Sequence, residues 1–416
     1  MLFILAYSTI IRGVIIPPHL AHLLAHLPAP SSDAQALSDQ LTALIANEIR
    51  LSGDRISFAR YMELALYAPG LGYYSAGSPK LGRSGDFVTA PEMSPLFARC
   101  VARQLVQLQG EGLRTILEIG AGSGALAADV LLAMAALGSV PDAYWILELS
   151  GDLRERQKAT LAATLAEHAP TLLARVQWLD ALPHAFEGVV LANEVLDATP
   201  AHVVATCGGE ILEAFVKVDG DPHSFHWFEA SPSEAVRRAT ETIPIPIHLP
   251  GDNYRTEINL TARALVTSLA RLLTRGVMLF IDYGFPAREF YHPQRSQGTL
   301  MCHYRHHAHD DPFAFVGLQD ITTHVDFSAI AAAALDGGAA LLGYTSQAQF
   351  LINCGITELL SATPASDTRA YAPLAAQAQK LLSPAEMGEL FKVIALGKYI
   401  ETPLLGFARG NKSRTL

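Results

Sequence analysis

Residues 117–126, LEIGAGSGAL, carry the densest chemical signal in the sequence. Gly120, Gly122 and Gly124 occupy every second position between an apolar run and a helix-like stretch. Glycine leaves no side chain in the way, so such a turn usually lets the backbone approach a ligand closely. Glu118 precedes the first glycine by two residues. A carboxylate there repels a pyrophosphate but suits a ligand that carries an ammonium and a sulfonium.

Two further acids follow the next strands of the expected sheet. Glu148 ends the second strand, where a carboxylate accepts hydrogen bonds from ribose hydroxyls. Asp180 follows the third strand, where it is placed to meet an adenine amino group. Together with the glycine turn, these acids predict a pocket for S-adenosyl-L-methionine. A nicotinamide or flavin dinucleotide and a purely structural turn stay open as alternatives, because the sixth fingerprint position holds Ala125 rather than glycine.

A Gly- and Pro-rich loop over residues 75–92, SAGSPKLGRSGDFVTAPE, precedes this turn. Its chemically active residues are Gly85, Asp86, Phe87, Thr89 and Glu92. Long loops inside a domain are usually functional. We therefore expect a lid over the cofactor, in which Phe87 excludes water while Asp86 and Glu92 face the ammonium or the substrate. A well-packed connection without a ligand is the alternative.

Alternating strands and helices must position these residues. The expected strands are 115–120, 143–150, 176–180, 187–195, 276–284 and 391–400. This alternation predicts an α/β fold with a Rossmann-like, doubly wound parallel sheet. A helix over 33–50 with Ser32 as a possible cap and a capping box from Ser383 to Glu386 are also expected.

The expected organisation divides the chain into five segments. They are a poorly ordered apolar tail (1–30), an N-terminal helical region with the lid loop (31–110), the first part of the core (111–200), a β insertion (201–256) and the remaining core (257–416) with a substrate-facing insertion at 285–330. The apolar tail is short for a membrane span, and Arg12 interrupts it. A loose tail or a mis-called start is the preferred reading; a signal peptide or membrane anchor is the alternative.

Composition excludes several classes of protein. The chain has 416 residues, half of them hydrophobic, which is ample for a core. Its net charge of −10 argues against a nucleic-acid surface and suits a basic protein partner. Cys100, Cys207, Cys302 and Cys354 are far apart, which indicates no disulfide framework and leads us to expect a cytoplasmic protein.

Longer motifs carry a family resemblance. The matching stretches are SFARYMELALYAPGLGYYS, GDFVTAPEMSPLFAR, LEIGAGSG, NEVLDATPAH, FIDYG and GTLMCHYRHHAHDDPFAFVGLQDITTHVDF. They resemble the MidA family, bacterial and mitochondrial S-adenosylmethionine-dependent methyltransferases related to a respiratory complex I assembly factor. The resemblance implies the class I methyltransferase form of the sheet, with an antiparallel last strand. It also implies N-methylation of protein arginine, with a respiratory-chain subunit as one candidate target.

Arginine methylation needs carboxylates, because a guanidinium stays protonated and its lone pairs are delocalised. ANEVLDATPAH places Asn193 and Glu194 at the end of the fourth strand, where amino-group methyltransferases set a loop against the methyl donor. Asp197 follows three residues later. We expect these three residues to be catalytic, with Asn193 also touching the cofactor. The alternative is that Glu194 and Asp197 only cap the next segment.

The stretch HYRHHAHDD concentrates histidine and aspartate in one place. The spacing of His303 and His307 suits one face of a helix. We expect a substrate-facing loop in which Arg305 pairs with the aspartates, and no metal; a solvated loop and a metal site are the alternatives.

Four functions remain in competition at this stage. They are a protein-arginine methyltransferase, a non-catalytic assembly factor that keeps the fold, a methyltransferase for a small molecule, and an NAD-linked oxidoreductase. For partners, we expect an arginine-bearing protein, no nucleic acid and no stable membrane insertion, with a homodimer as a candidate assembly.

Overall fold

The structure is a computed structural model that describes residues 10–11, 14–15, 27–76, 89–168, 170–221, 223–241, 243 and 254–416. Most of the expected apolar tail and most of the lid loop therefore lie outside the described residues. Among the described helices, none combines the length and the apolar character that crossing a bilayer requires.

The described strands follow in chain order. They are β1 (Ile10–Ile11), β2 (Val14–Ile15), β3 (Ile56–Ser57), β4 (Thr115–Ile119), β5 (Ala143–Leu147), β6 (Val176–Leu179), β7 (Phe186–Asn193), β8 (His202–Cys207), β9 (Glu210–Val218), β10 (Phe225–Ala230), β11 (Tyr254–Ile258), β12 (Leu273–Phe285), β13 (Met301–Tyr304), β14 (His307–His309), β15 (Asp320–Thr322), β16 (Val325–Asp326), β17 (Ala340–Ser346) and β18 (Phe391–Lys398).

The described α-helices connect them. They are α1 (Ser32–Leu51), α2 (Phe58–Tyr67), α3 (Ala90–Met93), α4 (Pro95–Gly110), α5 (Ala125–Ala136), α6 (Gly151–His168), α7 (Pro170–Leu173), α8 (Glu234–Thr240), α9 (Leu260–Leu272), α10 (Ala287–Phe290), α11 (Phe327–Asp336), α12 (Gln347–Asn353), α13 (Ile356–Ser361) and α14 (Thr368–Leu382).

The central sheet has the order β6-β5-β4-β7-β12-β18-β17, and β16 adds a short pairing at the end of β12. Every neighbour from β6 to β12 is parallel, whereas β18 runs antiparallel to both β12 and β17. The predicted α/β fold with a doubly wound, Rossmann-like sheet and an antiparallel last strand is confirmed. β17 was not expected from the sequence.

Both faces of the sheet are covered, which is why its strands are continuous apolar runs. One core lies between the sheet and helices that include α4, α5 and α6, and the other lies between the sheet and α9 and α11. Because β4, β5, β6, β7 and β12 are parallel, their carboxyl ends meet at one edge, where such sheets bind ligands.

A second sheet lies beside the first, in the order β10-β9-β8-β11 with β3 added to β9. A third, small sheet has the order β14-β13-β15. α1 and α2 pack on these strands through one shared core, which includes Tyr61 of α2, Val216 of β9 and Ile321 of β15. This packing places the segment after α2 against the carboxyl edge of the central sheet.

Two local predictions were wrong. The cap of α1 is Ser31, whose Oγ accepts the N–H of Ala34, so Ser32 is already helical. Ser383 does not open a helix: its N–H donates to Gln379 O and closes α14, and turns follow it. The proline after Ser383 fits a helix start and a helix end equally well, and packing decided between them.

Candidate functional site

The glycine turn adopts a backbone that other residues avoid. Gly120, Gly122 and Gly124 have φ of 65°, 53° and 85°, all in the left-handed region. A Cβ on Gly120 would lie 2.9 Å from Val195 Cγ2. Gly124 caps α5 without any side-chain hydrogen bond. The first turn of α5 therefore presents its backbone N–H groups beside the three glycines, which we call the glycine cradle.

Glu118 lies beneath this turn, with only 2% of its surface exposed. The Tyr144 hydroxyl donates to its Oε2 at 2.7 Å. Burial raises the pKa of Glu118 to about 7, although the hydrogen bond from Tyr144 opposes the shift. A cation nearby would favour the ionised form. Its contact with the ammonium group of the donor stays a prediction.

Glu148 is held by a residue that sequence reasoning missed. Ser150 N–H donates to its Oε1 at 2.8 Å, and Gln157 Nε2 donates to its Oε2 at 2.9 Å. Gln157 Nε2 also donates to Gly122 O at 3.1 Å, and its Oε1 accepts from Trp178 Nε1 at 3.0 Å. Gln157 thus connects Glu148 to the glycine turn. It lies inside α6, where no local pattern distinguishes it.

Asp180 follows β6 as expected, but its side chain is 89% exposed and forms an ion pair with Arg154 at 2.7 Å. Arg154 also donates to the carbonyls of Glu148 and Leu179, so it anchors both strand ends. Contact between Asp180 and adenine stays a prediction. Leu149, next to Glu148 in the sequence, is 81% exposed. The expected contact of Glu148 with the ribose stays a prediction.

The lid loop is described only at its end. Gly85, Asp86 and Phe87 lie outside the described residues, and their roles stay predictions. Thr89 O accepts the N–H groups of Glu92 and Met93 at the start of α3.

The first helical residue of α3 connects the lid segment to the site. The N–H of Ala90 donates to Glu194 at the end of β7. Glu92 is half-buried, and its Oε2 has no hydrogen-bond partner within the described residues. The described end of the lid segment therefore reaches the expected catalytic residues.

Asn193 and Glu194 end β7 on the same edge. Glu194 has φ 53°, a left-handed conformation that is uncommon for a residue with a side chain, and its N–H donates to Ile281 O at 2.9 Å. Asn193 Nδ2 donates to Glu194 Oε1 at 3.0 Å. Burial, assisted by the charge of Asp197, raises the pKa of Glu194 to about 8.

Asp197 is 5% exposed and lies in the loop after β7. Its Oδ1 accepts the N–H of Ala198 at 2.9 Å, and the hydroxyl of Tyr283 also donates to it. Burial raises the pKa of Asp197 to about 6. Glu194 and Asp197 thus share one site, as expected. The alternative that they only cap the next segment stays open for Asp197, whose bond to Ala198 N–H is of that kind, and the catalytic roles stay predictions.

Two more carboxylates complete the cluster. Asp282 is 1% exposed. Burial raises its pKa, and the charges of Asp197 and Glu194 raise it further. Asp320 of β15 is 2% exposed, accepts from the Tyr74 hydroxyl at 3.0 Å and acts electrostatically on Glu194. We call Glu194, Asp197, Asp282 and Asp320 the acidic cluster. From the sequence, Asp282 and Tyr283 were expected to end the fifth strand on the ligand edge, with a purely structural role as the alternative. Asp320 was noted only within QDITTHVDF, because its approach to the other acids depends on tertiary packing.

The histidine-rich stretch is a β-hairpin and not a helix. β13 and β14 pair antiparallel, with His303 opposite Ala308, and the turn holds Arg305 and His306 at φ 47° and 66°. Paired strands with a two-residue turn override the helical spacing of His303 and His307. Within the described residues, no three His, Cys, Asp or Glu side chains are grouped so that they could hold a metal.

Comparison with known proteins decides the family. A family model described as "Putative S-adenosyl-L-methionine-dependent methyltransferase" matches residues 96–345. The chain belongs to this methyltransferase family. A Burkholderia thailandensis protein crystallised with S-adenosyl-homocysteine is 51% identical and superposes with a TM-score of 0.88, over 94% of this chain and 100% of that chain. S-adenosyl-L-methionine is thus the cofactor of this methyltransferase, and the glycine cradle fits it.

Curated relatives of the methyltransferase come from animals. The mouse protein arginine methyltransferase NDUFAF7, mitochondrial, is 30% identical, with 88% of this chain and 87% of the relative aligned. The Caenorhabditis elegans homolog is 27% identical over 80% of each chain. The predicted cytoplasmic location is wrong by these comparisons, because the relatives are named as mitochondrial. Scattered free cysteines exclude a disulfide framework but do not single out one reducing compartment.

Proposed function

We propose that this methyltransferase modifies the guanidinium group of an arginine in a protein partner. The observation that carries the proposal is the acidic cluster at the carboxyl edge of the sheet, next to the glycine cradle. Burial raises the pKa of Glu194, Asp197 and Asp282, and repulsion from neighbouring acids raises the pKa of Glu194 and Asp282 further. A bound cation relieves both costs, because it neutralises charges that water does not reach. The names of the animal relatives support the same acceptor.

The proposed mechanism divides the work between two halves of the site. The donor supplies an electrophilic methyl group, which an arginine nitrogen takes while the carbon–sulfur bond breaks and S-adenosyl-homocysteine is left. The donor is held by the glycine turn and two acids, namely Gly120, Gly122, Gly124, Glu118 and Glu148. Further contacts come from Asn193, from Asp180 and from the lid residues Gly85, Asp86, Phe87, Thr89 and Glu92. Glu194 and Asp197 grip the guanidinium, localise its charge and accept the N–H proton that methylation releases.

Positioning supplies most of the catalysis in such a displacement. Asp282 accepts hydrogen bonds from the backbone N–H groups of Val195, Leu196 and Asp197 at 3.2, 2.9 and 3.3 Å. The loop after β7, residues 194–198, which we call the acceptor loop, therefore has a fixed shape before substrate arrives. Three N–H donors on one carboxylate oxygen favour its ionised form despite burial.

The deciding experiment uses tritiated methyl donor and extract from cells that lack this gene. Purified full-length protein is added, labelled proteins are hydrolysed, and methylated amino acids are separated. We expect the label in methylarginine, and respiratory-chain subunits are the first proteins to test. Light scattering on the same preparation reports whether the methyltransferase is a homodimer.

Two matched variants make this experiment specific. Asp197→Asn should bind S-adenosyl-homocysteine normally and lose transfer, while Glu241→Gln, an exposed acid, should resemble wild type. Label in methyllysine or in a small molecule overturns the arginine acceptor. Binding of the donor without any transfer favours an assembly factor that keeps the fold.

A further inference from the structure

Tyr67 links the donor half of the site to the acceptor half. Its hydroxyl donates to Ala198 O at 2.9 Å, directly after Asp197. Its ring stacks on Tyr74 with centroids 5.5 Å apart and planes 19° from parallel. Tyr74 O in turn accepts from Ser150 Oγ at 3.2 Å, two residues after Glu148. The stacked pair therefore spans from the ribose acid to the acceptor loop.

The electrostatic surroundings of Tyr67 confirm this position between the halves. Burial raises the pKa of its hydroxyl, and the charges of Asp320, Asp197 and Glu148 raise it further. These three acids lie in different segments of the chain, and each of them interacts electrostatically with the hydroxyl.

Tyr67 is partly open to solvent although its hydroxyl is hydrogen-bonded to Ala198 O. In all, 40% of the residue surface is exposed, and Tyr74 covers one face of the ring. An aromatic face carries negative electrostatic potential, and carboxylates beside it add to that potential. The open part of the ring is therefore an apolar surface that attracts a cation.

We propose that the ring of Tyr67 is the surface on which the cationic acceptor side chain lies, which makes Tyr67 a specificity-determining residue. The inference rests on the proposed arginine acceptor. A guanidinium is planar and weakly hydrated, so it stacks on an aromatic ring while its edges donate to carboxylates such as Asp197 and Asp320. An ammonium is compact and strongly hydrated, and a neutral urea lacks the charge.

The test measures binding of side-chain analogues and does not depend on the identity of the protein target. Full-length protein saturated with S-adenosyl-homocysteine is titrated with ethylguanidinium, ethylammonium or N-ethylurea, and binding is followed by NMR. Wild type should bind ethylguanidinium most tightly. Tyr67→Leu should weaken that binding about fivefold. Tyr67→Phe keeps the ring and loses only the hydrogen bond to Ala198 O, so it should retain more ethylguanidinium binding than Tyr67→Leu.

Controls separate the possible failures. Affinity for S-adenosyl-homocysteine reports that Tyr67→Leu is folded, and Tyr371→Leu, on α14, controls for loss of a tyrosine elsewhere. Unchanged ethylguanidinium binding in Tyr67→Leu overturns the role of Tyr67 and leaves the arginine acceptor standing. A wild type that prefers N-ethylurea, or that binds no analogue, overturns the role of Tyr67 as well. Labelling of methylarginine in extract then decides separately whether arginine is the acceptor.

Discussion

Asp282 holds Asp197 through the backbone and not through its side chain. Asp282 Oδ2 accepts the N–H of Asp197 at 3.3 Å and the N–H groups of the two preceding residues. Two carboxylates that repel each other thus occupy one site, because the backbone N–H groups of residues 195–197 all donate to one of them. Burial and this repulsion raise the pKa of Asp282 and make the pair a receptor for positive charge.

Removing Asp282 should disorder the acceptor loop without emptying the donor pocket. For Asp282→Ala we expect kcat to fall about tenfold to a hundredfold, since the three backbone donors lose their acceptor and Asp197 shifts. Asp282→Asn keeps one acceptor oxygen and should recover part of the loss. Steady-state kinetics with isothermal titration of S-adenosyl-homocysteine checks this. Equal losses of donor affinity and kcat would contradict a positioning role.

Tyr283 should set the pH at which the methyltransferase becomes active. Its hydroxyl donates to Asp197 and itself accepts from the Thr322 hydroxyl, which favours ionised Asp197. The active form needs the carboxylate, so rate rises with pH through the pKa of about 6. Tyr283→Phe removes the donor and should move this rise upward by about one pH unit.

A second tyrosine provides the control for that pH profile. Tyr344 has a buried hydroxyl without a partner in the described part of the chain, so Tyr344→Phe should keep the wild-type profile. A profile of kcat/KM that is the same in Tyr283→Phe and wild type would rule out the assignment.

Gln157→Leu should weaken donor binding although Gln157 is only a support. The substitution removes the hydrogen-bond partner of Glu148 Oε2 and of Trp178 Nε1 and frees the carbonyl of Gly122. Each buried polar group that loses its partner costs about 1–3 kcal/mol, so we expect affinity for S-adenosyl-homocysteine to fall about tenfold or more. Gln349→Leu is the matched control for calorimetry, because the Gln349 side chain donates to Asn353 on α12, outside the site. Equal affinities in both variants would remove Gln157 from the site.

Gly124→Ala, compared with Gly138→Ala, separates the effect of a Cβ clash in the glycine cradle from the effect of backbone strain. Its Cβ would lie 3.1 Å from Gln157 Cα and push α6 away from the turn. Gly138 has φ 71° and open space around it, so Gly138→Ala carries the same strain without the clash. Both should lose about 1 kcal/mol of stability. Only Gly124→Ala should lose donor affinity, by about tenfold, in equilibrium dialysis.

Glu194 should make the unliganded protein less stable as pH rises. Its pKa is about 8 in the folded chain and near 4.5 when unfolded, so between these values the folded state binds more protons. The free energy of unfolding therefore falls as pH rises from about 5 to about 8. Glu194→Gln should remove part of that fall, on the order of 1 kcal/mol after solvent screening. Urea unfolding at both pH values, with Glu241→Gln alongside, measures it; parallel curves for wild type and Glu194→Gln would refute the assignment.

The strands of the central sheet were predictable because parallel strands buried on both faces are continuous apolar runs. β4, β5, β6 and β7 lie within a few residues of their expected bounds. β17 was not predicted, because ALLGYTS is short and ends in polar residues and because its partner β18 lies far along the chain. The hairpin of β13 and β14 was not predicted, because the four-residue spacing of His303 and His307 fits one face of a helix as well as two strands joined by a turn.

Local order along the chain was enough to indicate the donor pocket, since Glu118, the three glycines and Glu148 each follow a strand whose end the sequence reveals. The acceptor site is different. Tyr67, Asp197, Asp282 and Asp320 belong to four segments up to about 250 residues apart, and no spacing connects them. Only the packing of α2 and β15 against the carboxyl edge of the sheet brings them together, because side chains far apart in sequence meet through long-range burial and not through local periodicity.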